Sequence, residues 1–304
     1  MLTTVKASIF TLLAVTAITR AQQSTLGEGD SSAWSANLGW IEMTPNRPSA
    51  GDGFRFGEFA CAGWIWSANA GWIHCGDGTP ADGIQYANHS NTDYGVNHVG
   101  TGELSGLAWS ANTGWINFGW WTLEPGNPNR PRVDLQTGNF SGYVWGANTG
   151  WINLGTGILK TDSMPVTDSD NDGISDAWEI AYNSGDLNVM NGTSDFDKDG
   201  FSDREEYIAL TNPFSAQSFL RVTKIERATP FNGSATALTW TSSPARNYVI
   251  EGSNDLGRNQ PWAVSNLDPQ TFSADAGAET TRTSQHAATD RRFFRISPKV
   301  PLQP

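Results

Sequence analysis

The first half of the chain carries four copies of one phrase that contains two tryptophans. The copies read WSANLGWI from Trp34, WSANAGWI from Trp66, WSANTGWI from Trp109 and WGANTGWI from Trp145. Their starts lie 32, 43 and 36 residues apart, which suits one small β unit per copy. A unit of this size cannot bury its apolar face alone, so the four copies must pack against one another.

Each phrase predicts a β-hairpin, because apolar, aromatic and β-branched residues flank a short turn that contains asparagine and glycine. In the third copy, a loop centred on Asn112 places Trp109 opposite Trp115. The same register pairs Trp34 with Trp40, Trp66 with Trp72 and Trp145 with Trp151. A cross-strand aromatic pair adds about 0.2–1 kcal/mol beyond ordinary burial.

Two interpretations of these tryptophans remain open. The favoured one is that they form the core of a glycine-rich repeat domain, because aromatic side chains usually dominate cores. The other is that some form an exposed stacking platform for sugars. Trp120 and Trp121 fit the second interpretation best, because they follow the third phrase and the fourth has Thr156 and Gly157 instead. They are therefore the ligand-binding candidates.

The assembly of the four units is also open, between a closed propeller-like ring and an open array. The uneven spacing and the shortened first copy favour an array with an atypical cap. Self-association through the ends of the array follows as a hypothesis.

The first 21 residues predict a secretory signal peptide, because Lys6 precedes the apolar run 7–18 and small residues stand near Ala21. No later segment approaches the roughly 18 apolar residues of a membrane span. We therefore expect a secreted or cell-surface protein of bacterial type without membrane insertion. An oxidising compartment favours a disulfide between Cys61 and Cys75, which replace apolar residues of the other copies; two buried free thiols are the alternative.

Two twelve-residue loops, DSDNDGISDAWE and DFDKDGFSDREE, follow 27 residues apart and predict calcium sites. Glycine stands at the sixth place of both, where the sharp turn needs a residue without Cβ. Positions 1, 3, 5, 7, 9 and 12 give the predicted ligands, with the seventh acting through its carbonyl: Asp168, Asp170, Asp172, Ile174, Asp176 and Glu179 in the first loop, and Asp195, Asp197, Asp199, Phe201, Asp203 and Glu206 in the second.

The charge distribution supports two calcium ions. Residues 162–218 carry 13 acidic side chains against two basic ones, and the rest of the chain carries 18 against 17. Carboxylates that converge on one loop repel one another unless a divalent cation neutralises them, so calcium should order this segment. The many protein oxygens favour calcium over magnesium.

Each loop leads into a short predicted helix, and Pro165 and Gly192 argue against a helix ahead of either loop. The stretch from Asp168 to Pro213 therefore resembles dockerin modules and the calcium loops of thrombospondin type 3 repeats in secreted bacterial surface proteins. Dockerins commonly carry small hydroxyl residues at loop positions 10 and 11. Here Ala177-Trp178 and Arg204-Glu205 stand there, so the resemblance does not favour a cohesin-type partner.

The predicted fold is mainly β, in four parts. Residues 1–21 are the signal peptide, 22–161 a Trp-rich β-repeat domain, 162–218 a tandem EF-hand-like or dockerin-like calcium segment, and 219–304 a small β-sandwich. The last assignment rests on short strand-like pieces between Gly, Pro, Ser and Asn turns.

Catalytic signatures are missing from the sequence: it has no HExxH, GxSxG, P-loop or dinucleotide fingerprint. Of its four histidines, His89 and His98 are expected at the surface. We expect an exported, non-enzymatic calcium-binding surface or matrix protein, whose repeats serve adhesion, glycan binding or assembly. The alternative is a secreted carbohydrate-active enzyme or its polysaccharide-binding accessory protein. Residues 22–161 carry 11 acidic and five basic side chains, so surface glycans or other copies of the chain are expected partners, and nucleic acid is not.

Overall fold

The structure is a computed structural model that describes residues 24–27, 31–45, 53–183, 185–228, 234–259, 261–264, 270–286 and 292–303. The predicted signal peptide lies outside these residues. As predicted, the described chain is mainly β, with two short helices between β-rich parts.

Among the described residues, the N-terminal half has eleven strands, and the four phrases form its hairpins. The strands are β1 (Ser32–Ser35), β2 (Gly39–Glu42), β3 (Trp64–Ser67), β4 (Gly71–His74), β5 (Val96–His98), β6 (Leu104–Ser110), β7 (Gly114–Asn117), β8 (Arg132–Val133), β9 (Phe140–Ser141), β10 (Tyr143–Gly146) and β11 (Gly150–Asn153). The hairpins are β1–β2, β3–β4, β6–β7 and β10–β11. In each of them the two tryptophans lie directly opposite each other, which confirms the predicted register.

The four hairpins close into one eight-stranded antiparallel sheet, which we call the hairpin ring. Strand β2 pairs with β3, β4 with β6, β7 with β10, and β11 returns to β1 through Trp34 and Asn153. The expectation of an open array is therefore wrong. The short first copy is completed by the last one, and closure removes the unpaired strand edges that an array would expose.

Polar side chains of the phrase join each hairpin to the one before it. In every copy they donate to the carbonyl of the residue just before the turn glycine of the preceding hairpin. The donors and acceptors are Ser35 and Asn37 to Thr149, Ser67 and Asn69 to Leu38, Ser110 and Asn112 to Ala70, and Asn148 to Thr113, at 3.0–3.2 Å. The asparagine predicted to favour a tight reversal therefore also links neighbouring hairpins around the ring.

The tryptophans of the phrases lie on the outside of the hairpin ring, so the interpretation that they form the core is wrong. Trp40 and Trp151, for example, are 56% and 52% exposed. Successive side chains of a strand point to opposite faces, and a closed eight-stranded sheet has room only for modest side chains inside. The inward positions are nearly fully buried and are filled by Ala33, Ile41, Ile65, Ile73, Ala108, Ile116, Val144 and Ile152.

Cys61 and Cys75 are buried free thiols in the same apolar core, and the predicted disulfide is not present. Burial raises the pKa of the Cys61 thiol to about 12, and burial followed by the neighbouring Cys61 raises that of Cys75 further. Both side chains therefore stay protonated at neutral pH, and only the thiolate reacts in disulfide exchange.

In the remainder, the part of the chain that the structure describes has two helices and seven strands: α1 (Asp176–Asn183), α2 (Asp203–Ala209), β12 (Val222–Ala228), β13 (Ser234–Thr241), β14 (Asn247–Ser253), β15 (Ala263–Val264), β16 (Thr271–Ser273), β17 (Glu279–His286) and β18 (Phe293–Lys299). One sheet has the order β12-β13-β17. In the other, β14 pairs with β18 along one edge and with β15 and β16 along the other. The two sheets share a core in which Trp240 packs against Tyr248 and Phe272, which makes this part a sandwich.

His98 is buried, which corrects the expectation of a surface histidine. Its Nε2 accepts a hydrogen bond from the Gly102 N–H at 2.9 Å, so the ring nitrogen Nδ1 carries the proton and donates to the Gly57 carbonyl at 3.2 Å. Burial lowers the pKa of His98 to about 4.

The first prediction concerns the links between hairpins. Replacing Ser110 with Ala should lower the free energy of unfolding by about 1–3 kcal/mol, because a buried carbonyl and the Asn112 N–H both lose a partner. Urea unfolding measures the change. The half-buried Ser32 of strand β1 makes no side-chain hydrogen bond to another described residue, so Ser32→Ala is the matched control. Equal losses in both variants would contradict this role for the phrase.

The second prediction concerns acid. The folded-state pKa of His98 lies below its usual 6.5, so the unfolded chain binds more protons between pH 6.5 and about 4, and stability should fall as the pH falls through this window. His98→Gln should flatten that part of the stability profile measured by thermal unfolding. His89→Gln, at an exposed position, should leave the profile as in the wild type; a similar flattening there would count against the assignment.

Candidate metal centre

Each acidic loop brings three aspartates to one point. In the first loop, carboxylate oxygens of Asp168, Asp170 and Asp172 lie within 4.8 Å of one another, and Asp195, Asp197 and Asp199 do the same in the second. Three carboxylates at such distances repel one another strongly in a partly buried site. The arrangement can hold a hard cation that takes oxygen ligands.

The backbones of the two loops follow the same path. The first carboxylate of each accepts hydrogen bonds from the N–H groups at positions 5 and 6: Asp168 from Asp172 and Gly173, Asp195 from Asp199 and Gly200, at 3.0–3.2 Å. Both glycines have the left-handed backbone that their place in the motif predicts, with φ of 91° and 99°. The backbone is also left-handed at the fourth position of each loop, at Asn171 and Lys198, and this was not predicted from the sequence. An asparagine at that position is the signal that could have indicated it, because asparagine adopts positive φ more readily than most residues.

The glutamates at position 12 are buried carboxylates without adequate partners. Glu179 is 0% exposed and neither of its oxygens has a hydrogen-bond partner among the described residues. Glu206 is 1% exposed; its Oε1 accepts from the Thr211 hydroxyl at 3.0 Å, and its Oε2 has no partner. Burial, and then the nearby aspartates, raise the pKa of Glu179 to about 8 and that of Glu206 to about 7.

These unpartnered oxygens fit a bound cation. An ionised carboxylate in a buried place is costly unless it is paired or binds a metal. One oxygen each of Asp172, Asp197 and Asp199 is buried and unpartnered in the same way. This donor set consists of carboxylates, which suit a hard divalent cation such as calcium.

The structure does not bring Asp176 and Asp203 into the triads. Both oxygens of Asp176 accept hydrogen bonds from the N–H and hydroxyl of Ser169, at 2.8 and 2.5 Å. Asp203 accepts from the Phe196 N–H at 3.0 Å and from the Ser194 hydroxyl. These aspartates therefore tie the start of each loop to its helix, and position 9 of such loops often reaches the ion through a water. The carbonyl roles of Ile174 and Phe201 stay predictions.

A small core holds the two loops together. Ile174, Trp178, Met190 and Tyr207 are buried against one another, and the rings of Trp178 and Tyr207 lie 5.6 Å apart at a steep angle. Helix α2 begins with a capping box in which Ser202 and Glu205 bond reciprocally. Because each half supplies part of one core, the loops form a single unit.

Trp120 and Trp121, the ligand-binding candidates, lie in a 3₁₀ turn after β7 but have different surroundings. The indole N–H of Trp121 donates to the Leu104 carbonyl of strand β6 at 2.7 Å. Trp120 lies beside Tyr143 and Trp151 and lines an open cleft on the outer face of the hairpin ring. Both side chains are half-buried, and of the two only Trp120 lines this cleft.

The loops, glutamates and shared core define a tandem loop–helix segment of the calcium-binding class. Residues 168–184 and 195–216 match the model of the bacterial TSP3 repeat, the thrombospondin type 3 repeat, which is an extracellular, non-enzymatic calcium-binding unit. No curated protein and no solved structure matches the chain. The dockerin resemblance stays a prediction. Neither helix of the described residues has the length and apolar run needed to cross a membrane.

The third prediction concerns the ligand set. Glu179→Gln should weaken calcium binding to the first loop by at least about tenfold, because a neutral amide replaces the carboxylate that closes the site. Isothermal titration calorimetry with calcium measures the loss. Asp186→Asn makes the same one-charge change at an exposed site between the loops and should bind as the wild type does. Equal affinities in all three proteins would remove Glu179 from the ligand set.

Proposed function

We propose that this protein is an exported, non-enzymatic calcium-binding surface or matrix protein, in which two calcium ions fasten the hairpin ring to the sandwich. The observation that carries the proposal is the pair of buried glutamates at the ends of two acidic loops, in which both oxygens of Glu179 and one oxygen of Glu206 have no hydrogen-bond partner among the described residues. Glu206 belongs to α2, and the residues that follow it on this helix contact both neighbouring parts of the chain.

The contact with the hairpin-ring half is made by Tyr207, the neighbour of Glu206. Its hydroxyl donates to the carboxylate of Glu58, at 3.3 Å to each oxygen. Glu58 follows the buried Phe56 and is itself 7% exposed. This contact therefore lies in the interior between the calcium segment and the ring.

The contact with the sandwich is made by Arg246, whose side chain is 3% exposed. Its Nη2 lies 3.5 Å from Glu58 and donates to the Tyr207 carbonyl at 2.9 Å, while its Nε donates to the Ile208 carbonyl at 3.0 Å. One guanidinium thus contacts all three parts of the chain, with the backbone of α2 as its main partner.

This buried ion pair depends on the order of α2. Taking two charges out of water costs several kcal/mol per ion, and the cost is offset only when further hydrogen bonds satisfy the remaining donors and acceptors. Tyr207 and Ile208 supply those bonds, and they follow a glutamate that calcium would hold. Calcium should therefore order α2 and, through it, the junction.

Export and a surface role are supported by the TSP3 match, since these repeats are extracellular. Each of the eight strands of the hairpin ring pairs with a strand on both sides, so the hairpins offer no open edge to which a partner strand could add. A partner is therefore better placed on the exposed tryptophans. The partners we propose are surface glycans or further copies of the chain, without a role for nucleic acid or membrane insertion.

The fourth prediction tests the calcium junction. With calcium, thermal unfolding should show one cooperative transition. A chelator should lower its midpoint and expose residues 162–218 to limited proteolysis. Calcium at 100 times the dissociation constant contributes about 2.7 kcal/mol for each site, so the effect should be large.

Glu206→Gln alters the second site alone, so in the presence of calcium it should lower the midpoint in the same direction as the chelator but by less, and the exposed Asp186→Asn should not lower it. The proposal fails if the chelated protein has the same unfolding midpoint as the calcium-loaded protein and if residues 162–218 resist proteolysis equally well in both.

A further inference from the structure

An open cleft lies on the outer face of the hairpin ring, beside strands β10 and β11. Its volume is about 610 Å³, and six residues line it, three of them aromatic and three polar: Trp120, Tyr143 and Trp151, and Glu124, Asn127 and Asn129. We call it the Trp120 cleft. None of its residues belongs to the calcium segment, and of its six members the sequence indicated Trp120 alone.

Trp120, Tyr143 and Trp151 form one side of the cleft, which we call the aromatic wall, and contacts within the fold hold them in place. The Trp120 indole N–H donates to the Tyr143 carbonyl at 2.7 Å. The Trp151 ring meets Trp120 edge to face at 5.2 Å and Tyr143 at 6.4 Å. Trp151 nevertheless remains 52% exposed and Tyr143 36%. The wall therefore presents aromatic surface to a ligand without having to rearrange.

Glu124, Asn127 and Asn129 form the other side of the cleft, the polar wall, and hydrogen bonds of their loop hold them in place. Its loop is closed by successive turns, in which the Glu124 N–H donates to Trp121 and the Asn127 N–H donates to Glu124, at 2.7 and 2.9 Å. Arg130 anchors the end of the loop through a half-buried ion pair with Glu103 at 2.8 Å and a bond to the Asn127 carbonyl at 3.1 Å. A preorganised site loses little entropy when it binds.

The ligand chemistry follows from the two walls. Aromatic faces take up apolar C–H surface, whereas side-chain amides and a carboxylate exchange hydrogen bonds with hydroxyl groups. Asn127 already donates to Glu124 at 2.8 Å, which orients the pair. A pyranose ring offers both kinds of surface, one on its face and the other at its edge. The charge of Glu124, and the acidic excess of residues 22–161, disfavour anionic sugars.

We propose that the Trp120 cleft binds a neutral glycan, with a sugar ring against Trp151 and Tyr143 and its hydroxyls toward Glu124, Asn127 and Asn129. Binding, not cleavage, is its role, because Glu124 is the one carboxylate among the six lining residues and glycoside hydrolysis generally uses two. The inference rests on the glycan-binding part of the proposed function and not on the calcium junction.

The test uses the full chain in the presence of calcium and four neutral hexasaccharides: cellohexaose, xylohexaose, mannohexaose and chitohexaose. Hexagalacturonate is the anionic comparison. Titration followed by calorimetry and tryptophan fluorescence should show saturable binding of at least one neutral sugar, and weaker binding of hexagalacturonate. Trp151→Ala should weaken the binding about tenfold or more, since it removes the most exposed of the three rings that form the aromatic wall.

Trp40→Ala is the matched control, because Trp40 occupies the equivalent place in the first hairpin, is 56% exposed and does not line the cleft. It should bind as the wild type does. Asn129→Ala removes a side chain that lines the cleft, leaves in place the hydrogen bond that the Tyr143 N–H donates to the Asn129 carbonyl, and should also weaken binding. It keeps the test valid if the tryptophan variant unfolds.

The proposal is overturned if no neutral hexasaccharide binds, if Trp151→Ala and Asn129→Ala bind as the wild type does, or if Trp40→Ala loses as much affinity. Release of shortened sugars would overturn the assignment of binding without cleavage. Calcium affinity should be unchanged in Trp151→Ala, so failure here leaves the calcium proposal standing, and failure of the calcium proposal leaves this one standing.

Discussion

Closure of the hairpin ring sets the narrow interior on which the rest of the N-terminal half depends. Eight short strands enclose a space that alanine, valine and isoleucine fill, and the alternation of the strands then sends the opposed tryptophans outward. The same closure requires each turn to meet the turn before it. The serine and asparagine of the phrase satisfy that requirement through bonds to one carbonyl, as Ser67 and Asn69 do with Leu38. The phrase therefore encodes contacts between hairpins as well as the hairpins themselves.

The calcium segment follows a different constraint, the repulsion of converging carboxylates. Two triads and two buried glutamates concentrate negative charge at places where the described protein offers few donors. A divalent cation would relieve this repulsion. Helix α2 carries both the carboxylate of Glu206 and the backbone groups that accept from Arg246, which is why we propose that calcium affects the whole chain and not the loops alone.

Features that depend on residues close together in the sequence were predicted, and features that depend on distant residues were not. Hairpin register, the glycines at the sixth loop position and the two helices follow from spacing and side-chain chemistry, and all were predictable. The closure of the ring was not, because it depends on β11 returning to β1, a pairing across more than a hundred residues that no local pattern indicates. The prediction that the tryptophans form the core was wrong for the same reason. The alternation of side chains along a strand defines two faces of the sheet, and only the closure of the ring decides which face lies inside.

The site residues show the same division. The aspartates at positions 1, 3 and 5 converge as their spacing predicts, whereas Asp176 and Asp203 turn back to the loop starts because hydroxyl and N–H donors stand there. Glu58 and Arg246 carried no sequence signal, since the fold alone brings them together.

The outward tryptophans themselves argue for recognition. A closed sheet whose core is complete without them could carry threonine or other polar residues at its outer positions, and large exposed apolar patches on a soluble protein mark interaction sites or aggregation hazards. Cross-strand ring contacts such as that of Trp109 with Trp115, which are tilted by 58° with 4.6 Å between ring centres, account for part of their stabilisation. Edge-to-face contacts at 5.2 and 6.4 Å hold Trp151 against Trp120 and Tyr143, yet Trp151 remains half exposed in a cleft with amide and carboxylate groups opposite it. The glycan proposal assigns this remaining surface to a ligand, because the contacts within the fold leave it uncovered.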